Sequence, residues 1–496
     1  MLSASERNRA RVCRDVLGPQ LRLNVPMTDQ QGSSIPSSES GVAAGERQSD
    51  SSWEFSASSD PSWVGGEAPL QETGRTRREA QGGAPHGDSV EVRLAWLELP
   101  ERLEQHRLPM PPATADFLQV AQLGNMITSL FWGNNDFYES PAEKLAGAQP
   151  RADLITRYVI ALMQNADSSD FDADGRIIGY GVLRLPQDAG AVTAQAWVGV
   201  HPGFRRHGVG TALAAAVEEA AREAGRTVIQ SWTDHQLLDP EAVGSRPVYV
   251  RGHEAQDEDS PAAAPMPQGG GPESVDTGAP ALELDLTRAD ASFARACGFA
   301  AAQLELVSVL DLSTALGAAQ QVAARPDPAG STALDQYELI GWTGACPEEH
   351  AEAFAQLWGR MSQDAPSGEL TVDPEQWDVD RLRRMEAARE AEGLVVITAA
   401  ALHRPTGRIV GHSDIESYEY LPQAAFQANT LVHPDHRGHR LSLLLKARNI
   451  PQLLQIRPEA ERLYTWNATE NASILRANSR LGFVPAALMA AWEKSV

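Results

Sequence analysis

Apolar positions along this chain keep to two spacings, and the changes between them mark out the elements. In "VEVRLAWLELP" (Val90 to Pro100), Val90, Val92, Leu94 and Trp96 alternate with their neighbours, which predicts a strand. "TADFLQVAQLGNMITSLFW" reads as a helix. "GRIIGYGVLRLP" (Gly175 to Pro186) and "AVTAQAWVGVHP" (Ala191 to Pro202) read as two strands joined by the turn-rich "QDAG". From His207 the period lengthens: Val209, Leu213, Ala216, Val217 and Ala220 share one helix face, and Gly225 is a stop signal. "RTVIQSWTD" is the next strand. Further on, "ADASFARACGF" gives a short helix and "LELVSVLDL" a strand.

At Tyr337 the order of elements starts again. "YELIGWTG" is a strand, and "CPEEHAEAFAQLWGRM" and "DVDRLRRMEAAREAEG" are helices. "LVVITAAALHRPTGRIVGHSDIESYEY" predicts a hairpin, and "AAFQANTLVHP" a strand. A helix follows, then the strand "ERLYTWNAT", the helix "ASILRANSRLGF" and a last strand, "AALMAAWEK". One order of elements therefore occurs twice, as in a duplicated fold.

Two segments lack any such period. Met27 to Gly87 is rich in Ser, Gly, Glu, Gln and Asp, with little to bury against the entropy of ordering. A disordered extension over residues 1–87 is expected. Residues 252–282 are acidic and rich in Pro and Gly, which predicts a flexible insertion. The expected organisation is the extension, a first half over 88–325 that carries the insertion, and a second half over 335–496.

Composition narrows the function. With 42% apolar residues the chain can build real cores, and its net charge of −24 argues against a sequence-independent grip on nucleic acid or on an anionic membrane. Cys13, Cys297 and Cys346 have neither disulfide nor metal-site spacing. No apolar run approaches the roughly 20 residues that span a bilayer. A cytoplasmic protein is expected, with neither nucleic acid nor membrane as partner.

The chemistry concentrates where the strands ending "VHP" meet a helix. "VHPGFRRHGVG" and "VHPDHRGHRLS" each join strand to helix through a basic turn that contains glycine. A helix start offers backbone N–H groups without partners and the positive end of the helix dipole. Glycines let a ligand approach the backbone, so the turn suits a pyrophosphate.

The first turn resembles the acetyl-CoA loop of the GCN5-related N-acetyltransferases, whose pattern is Q/R-x-x-G-x-G/A. Arg205, Arg206, His207, Gly208, Val209 and Gly210 fit it throughout. The segments "ARACGFAAAQLELV" and "ANSRLGFVPA" echo the family's helix followed by Gly-Phe, and the wording of the chain resembles two-domain members of the mycothiol synthase type. The resemblance implies a tandem α/β (α+β) fold, each half with a mixed, mostly antiparallel, splayed sheet flanked by helices. It also implies acetyl-CoA as cosubstrate and a primary amine of a small molecule as acceptor. In the first half the coenzyme would lie along Val198, Val200, Arg205 to Gly210 and Thr211. In the second it would lie along Leu431, Val432, Arg437, Gly438, His439, Arg440, Leu441 and Ser442, with Asn467 and Asn471 nearby; Asn471 is equally suited to capping a helix. The second turn departs from the pattern, with Arg440 and Ser442 where the first has Gly208 and Gly210.

Direct attack of an amine on a thioester needs a deprotonated amine and a proton for the leaving thiolate. The family's tyrosine acid has no counterpart: Asn478 and Ala294 stand in its place. For the base, Asp414 and Glu416 share one face of a strand in the second half, whereas the matching strands of the first carry no acid. The second half is thus the expected catalyst, and an acyl-CoA-binding protein without turnover is the alternative. His433, His436 and His439 have no Cys or further ligand cluster beside them, so no metal site is expected.

Overall fold

Alternating segments do form strands, and so does one long apolar run in which alternation lapses. The computed structural model describes residues 92–104, 109–163, 176–237, 284–324, 335–373 and 375–496. Both the expected extension, 1–87, and the expected insertion, 252–282, lie outside them. In the first half the elements are β1 (Val92–Trp96), α1 (Pro112–Trp132), α2 (Pro141–Ala148), β2 (Leu154–Met163), β3 (Ile177–Pro186), β4 (Thr193–Val200), α3 (Val209–Glu223), β5 (Val228–His235), α4 (Ala289–Ala296), β6 (Ala300–Asp311) and α5 (Leu312–Ala324). The second half has β7 (Tyr337–Thr343), α6 (Ala351–Gly359), α7 (Met361–Asp364), α8 (Val379–Ala391), β8 (Leu394–His403), β9 (Arg408–Tyr418), β10 (Ala424–Val432), α9 (Leu441–Ile456), β11 (Arg462–Ala468), α10 (Ala472–Leu481) and β12 (Val484–Ser495).

Three of these elements are absent from the sequence reading. Strand β2, "LITRYVIALM", is buried almost throughout, so neither face shows a polar alternation. Helix α5 presents Leu312, Ala315, Ala319 and Val322 to the core, a helical period written half in alanine. Helix α2 starts with a capping box: the Glu143 amide donates to Ser140 Oγ at 3.3 Å, and Ser140 Oγ donates to Glu143 Oε2 at 3.1 Å. The helix expected from His207 starts at Val209, because Gly208 is its left-handed N-cap. The single helix read in "CPEEHAEAFAQLWGRM" is a 3-10 turn at Glu348–His350 followed by α6 and α7.

The described strands form one twelve-stranded sheet in the order β1-β2-β3-β4-β5-β12-β6-β11-β10-β9-β8-β7. Each half supplies a splayed, mostly antiparallel run. The runs are continuous because their closing strands are exchanged: β12 lies beside β5, and β6 lies beside β11. Two neighbouring pairs, β4 with β5 and β10 with β11, are parallel. Both pairings are short. The first ends at Gln195 and Gln230 while β4 runs on to Val200, and the second ends at Gln427 and Thr465 while β10 runs on to Val432.

Apolar layers hold the helices to the sheet. Val209, Leu213, Val217, Ala220 and Ala221 of α3 pack on β2, β3 and β4. Leu443, Leu444, Ala447, Ile450 and Leu453 of α9 pack with α5 and with Ile397 and Ile415 of β8 and β9. Between the halves, Phe137 is stacked on Trp132 and sits edge-on to Tyr464 and Trp466. Beside it Asp136 accepts from Tyr464 Oη at 2.7 Å and from Arg462 Nη2 at 3.1 Å, a buried carboxylate with both partners it needs. No helix among the described residues is long and apolar enough to cross a membrane.

Candidate functional site

The two basic turns have one backbone design. In the first, the Gly203 amide donates to His201 Nδ1 at 3.2 Å, and Arg205 Nε donates to the Val200 carbonyl at 3.2 Å. In the second, the Asp435 amide donates to His433 Nδ1 at 3.4 Å, and Arg437 Nε donates to the Val432 carbonyl at 3.1 Å. Each turn then visits the left-handed region twice, at Arg206 (φ 68°) and Gly208 (φ 83°), and at Gly438 (φ 87°) and Arg440 (φ 59°). Glycine and arginine have traded places between the copies. The altered second turn therefore keeps the fold of the first, and Arg440 Nη2 donates to the Val322 carbonyl at 3.3 Å, at the C-terminal end of α5. Both helices that follow begin without a side-chain cap, at Gly208 and at Arg440. Their first-turn amides are left for another acceptor.

What lies in front of the turns differs sharply. Between β10 and β11 is a cleft of about 590 Å³ that runs to the start of α9. Every residue expected to hold the coenzyme in this half borders it except His439, which sits against Tyr337 with ring centroids 5.6 Å apart. Asn471 does both of the things foreseen for it: it borders the cleft and caps α10, accepting from the Ile474 amide at 3.3 Å. In the first half, the described residues enclose a cavity of about 120 Å³ between β4 and β5. There Trp197 and Trp232 stack at 5.9 Å across the parting of β4 and β5, and the Phe293 ring lies 3.2 Å from where a Cβ on Gly210 would be. Val198 borders this small cavity, and the other residues expected to hold coenzyme there do not.

Opposite Asp414, strand β10 has a bulge: the register on β9 jumps between Gln427 and Thr430, so Ala428 and Asn429 together oppose the single Asp414. Both bulge residues face the cleft. Asp414 and Glu416 share a face of β9, as their spacing implies, and are fully buried outside the cleft lining. Asp414 Oδ2 is 3.0 Å from His412 Nδ1, and Glu416 Oε1 accepts from Arg389 Nη2 at 3.3 Å.

Sequence reasoning missed four charged side chains that do border the cleft: Glu305, Asp364, Arg476 and Arg480. Glu305 comes from β6 of the first half, paired with Ala468 of β11. Its signal was a lone acid in the apolar run "LELVSVL". Arg476 and Arg480, one helical turn apart on α10, are exposed. Arg437 Nη2 is 3.2 Å from Asp364 Oδ2 across the mouth. Beside the turn, the Tyr337 hydroxyl and His436 Nδ1 are 3.0 Å apart. Burial, reinforced by the neighbouring His403 and His433, holds the His436 imidazole below its ordinary pKa.

Residues 136–243 match the family model described as the acetyltransferase (GNAT) family. No curated protein matches the sequence. Among solved structures, a tandem GNAT protein from the clavulanic acid biosynthesis pathway, without AcCoA, is 23% identical, with a TM-score of 0.54 over 81% of this chain and 98% of that one. A GCN5-related N-acetyltransferase from Sphaerobacter thermophilus is 14% identical, with a TM-score of 0.44 over 80% of this chain and 97% of that one. The glucosamine N-acetyltransferase region of a fungal multi-domain GH3 β-N-acetylglucosaminidase is 16% identical, with a TM-score of 0.47 over 82% of this chain and 38% of that one. Residues 136–243 are thus similar to the acetyltransferase (GNAT) family, and the two halves together have the tandem GNAT fold.

Proposed function

We propose that this chain transfers an acetyl group from acetyl-CoA to a primary amine of a small molecule, in the cleft between β10 and β11. The observation that carries the reading is the uncapped start of α9 at the end of a parted, parallel strand pair. The amides of Leu441, Ser442 and Leu443 would hold the coenzyme pyrophosphate, with Arg476 and Arg480 beside it to meet phosphate charge. The edge of β10 from Ala428 to Val432 would take the arm as an added strand. When bound, the coenzyme supplies a thioester carbonyl.

A base must lie within hydrogen-bond reach of the amine or one water away. Asp414 and Glu416 are buried behind β10 and engaged with His412 and Arg389, so in this reading they brace the sheet. Glu305 borders the cleft, and its carboxylate receives the proton of the acceptor ammonium. Asn478, in the place of the family's tyrosine, cannot donate as an acid, so the leaving thiolate takes its proton from water.

Incubation with acetyl-CoA and a panel of amines, with thiol release as the readout, tests the reading. Turnover is expected on at least one amine, falling about 100-fold in Glu305→Gln. Loss in Asp414→Asn with Glu305→Gln unaffected would return the base to β9. The lack of an acid at Ala294 and Asn478 favours the second reading, coenzyme binding without turnover; tight CoA binding with no thiol release on any amine would support it.

A further inference from the structure

Lys446 of α9 is 2% exposed, in a region that packs like core. Its Nζ donates to Asn478 Oδ1 of α10 at 2.8 Å. Asn478 Nδ2 in turn donates to Asn467 Oδ1 of β11 at 2.6 Å, and Thr465 Oγ1 donates to the same oxygen at 3.4 Å. Asn467 is the end of this chain that borders the cleft.

The order of donors along the chain is dictated by chemistry. While protonated, the Lys446 side chain has donors and no acceptor, so Asn478 meets it with its oxygen. The Asn478 amide nitrogen then faces Asn467 and requires an oxygen there. Asn467 is left with its own Nδ2, and two N–H donors, for the cleft. Remove the lysine and either amide can turn over, which would present the cleft with an acceptor instead.

We propose that Lys446 is a positioning residue: through Asn478 it orients Asn467 so that N–H donors face the cleft, where they hold a carbonyl oxygen of the coenzyme's pantetheine arm. This rests on the acyl-CoA reading above. Packing alone does not account for the side chain. Burial pushes the Lys446 ammonium down to about 7, the mark of a charge in an apolar place. An apolar isostere would suit the core better.

Stability and binding should therefore move in opposite directions. CoA and 3′-phospho-ADP, which lacks the pantetheine arm, are titrated calorimetrically into the full chain and into Lys446→Met. The variant is expected to melt at the same temperature or higher, to bind 3′-phospho-ADP within twofold of the parent, and to bind CoA about tenfold more weakly. Asn467→Ala, on the cleft wall, should show the same arm-specific loss, and the double variant should be no worse than either single one. Should Lys446→Met fail to fold, Asn478→Leu cuts the same chain and should show the same tenfold loss. Equal weakening of both ligands, or unchanged CoA binding in Lys446→Met or Asn478→Leu, overturns the assignment. If the parent chain binds neither ligand, the acyl-CoA reading falls and this inference with it.

Discussion

At the scale of single residues, the puzzle of the two turns is one of backbone sign. Each turn needs two left-handed residues, and each copy supplies one glycine and one arginine to those two positions. A side-chain-bearing residue there costs about 1–2 kcal/mol relative to the right-handed region, and glycine avoids that cost. Gly208→Ala and Gly438→Ala should therefore each lower the unfolding free energy by about 1 kcal/mol in denaturant titrations. Arg206→Gly should be close to neutral, because relief at φ 68° is offset by the greater freedom of glycine in the unfolded chain. Neutral behaviour of both alanine variants would mean that the turns are not held left-handed in solution. From the sequence, Arg440 is a departure from the glycine pattern and no more, since a pattern of letters carries no φ. What was legible was that a turn of this kind exists twice. That the copies permute one pair of residues became visible only with both backbones in place. Glu305 escaped notice for a related reason: one acid in an apolar strand says nothing about which cleft the strand will border.

At the scale of elements, the reading succeeded where turn residues bound a segment, as in β3, β4 and the β8–β9 hairpin, or where one helix face is apolar, as in α3. It failed for β2, buried on both faces, and for α5, half of whose buried stripe is alanine. Helix α2 could have been found from its Ser140-Pro-Ala-Glu143 start. That box has a consequence for pH. Burial foremost, then the charge of Glu139 and more weakly that of Glu392, pushes the Glu143 carboxyl up to about 9. Raised from an ordinary value near 4.5, it folds best protonated. Its contribution is fully present below about 4.5 and is lost as pH rises toward 9. Glu143→Gln keeps the protonated shape at every pH. Its unfolding free energy should match the parent near pH 4.5 and exceed it increasingly up to pH 9, by on the order of 1–3 kcal/mol at the top of that range. A difference that does not change with pH would show that Glu143 titrates normally.

At the scale of the whole molecule, the repeated order of elements made two halves legible, but not their interleaving. Strands β6 and β12 each follow a helix and a Gly-Phe turn, and nothing local distinguishes pairing within a half from pairing across halves. The exchange leaves β5 bordered by a strand from the second half and β11 by one from the first. Separated halves would each lose a central neighbour and expose a long, apolar sheet edge. The exchange also carries Glu305 from the first half into a cleft otherwise built by the second. Residues 88–325 and 335–496 produced as separate chains should therefore aggregate or remain largely unfolded by circular dichroism. Produced together, they should form a 1:1 complex, with CoA binding restored. The second half alone contains the α9 start and all of β10 and β11, so it is the decisive case. If 335–496 alone is monomeric and cooperatively folded, and binds CoA as tightly as the intact chain, then the exchanged strands are a convenience of linkage. If it acquires structure and affinity only on addition of 88–325, the site belongs to the pair, and the smaller aromatic-filled space of the first half marks a partner that completes the sheet rather than a second enzyme.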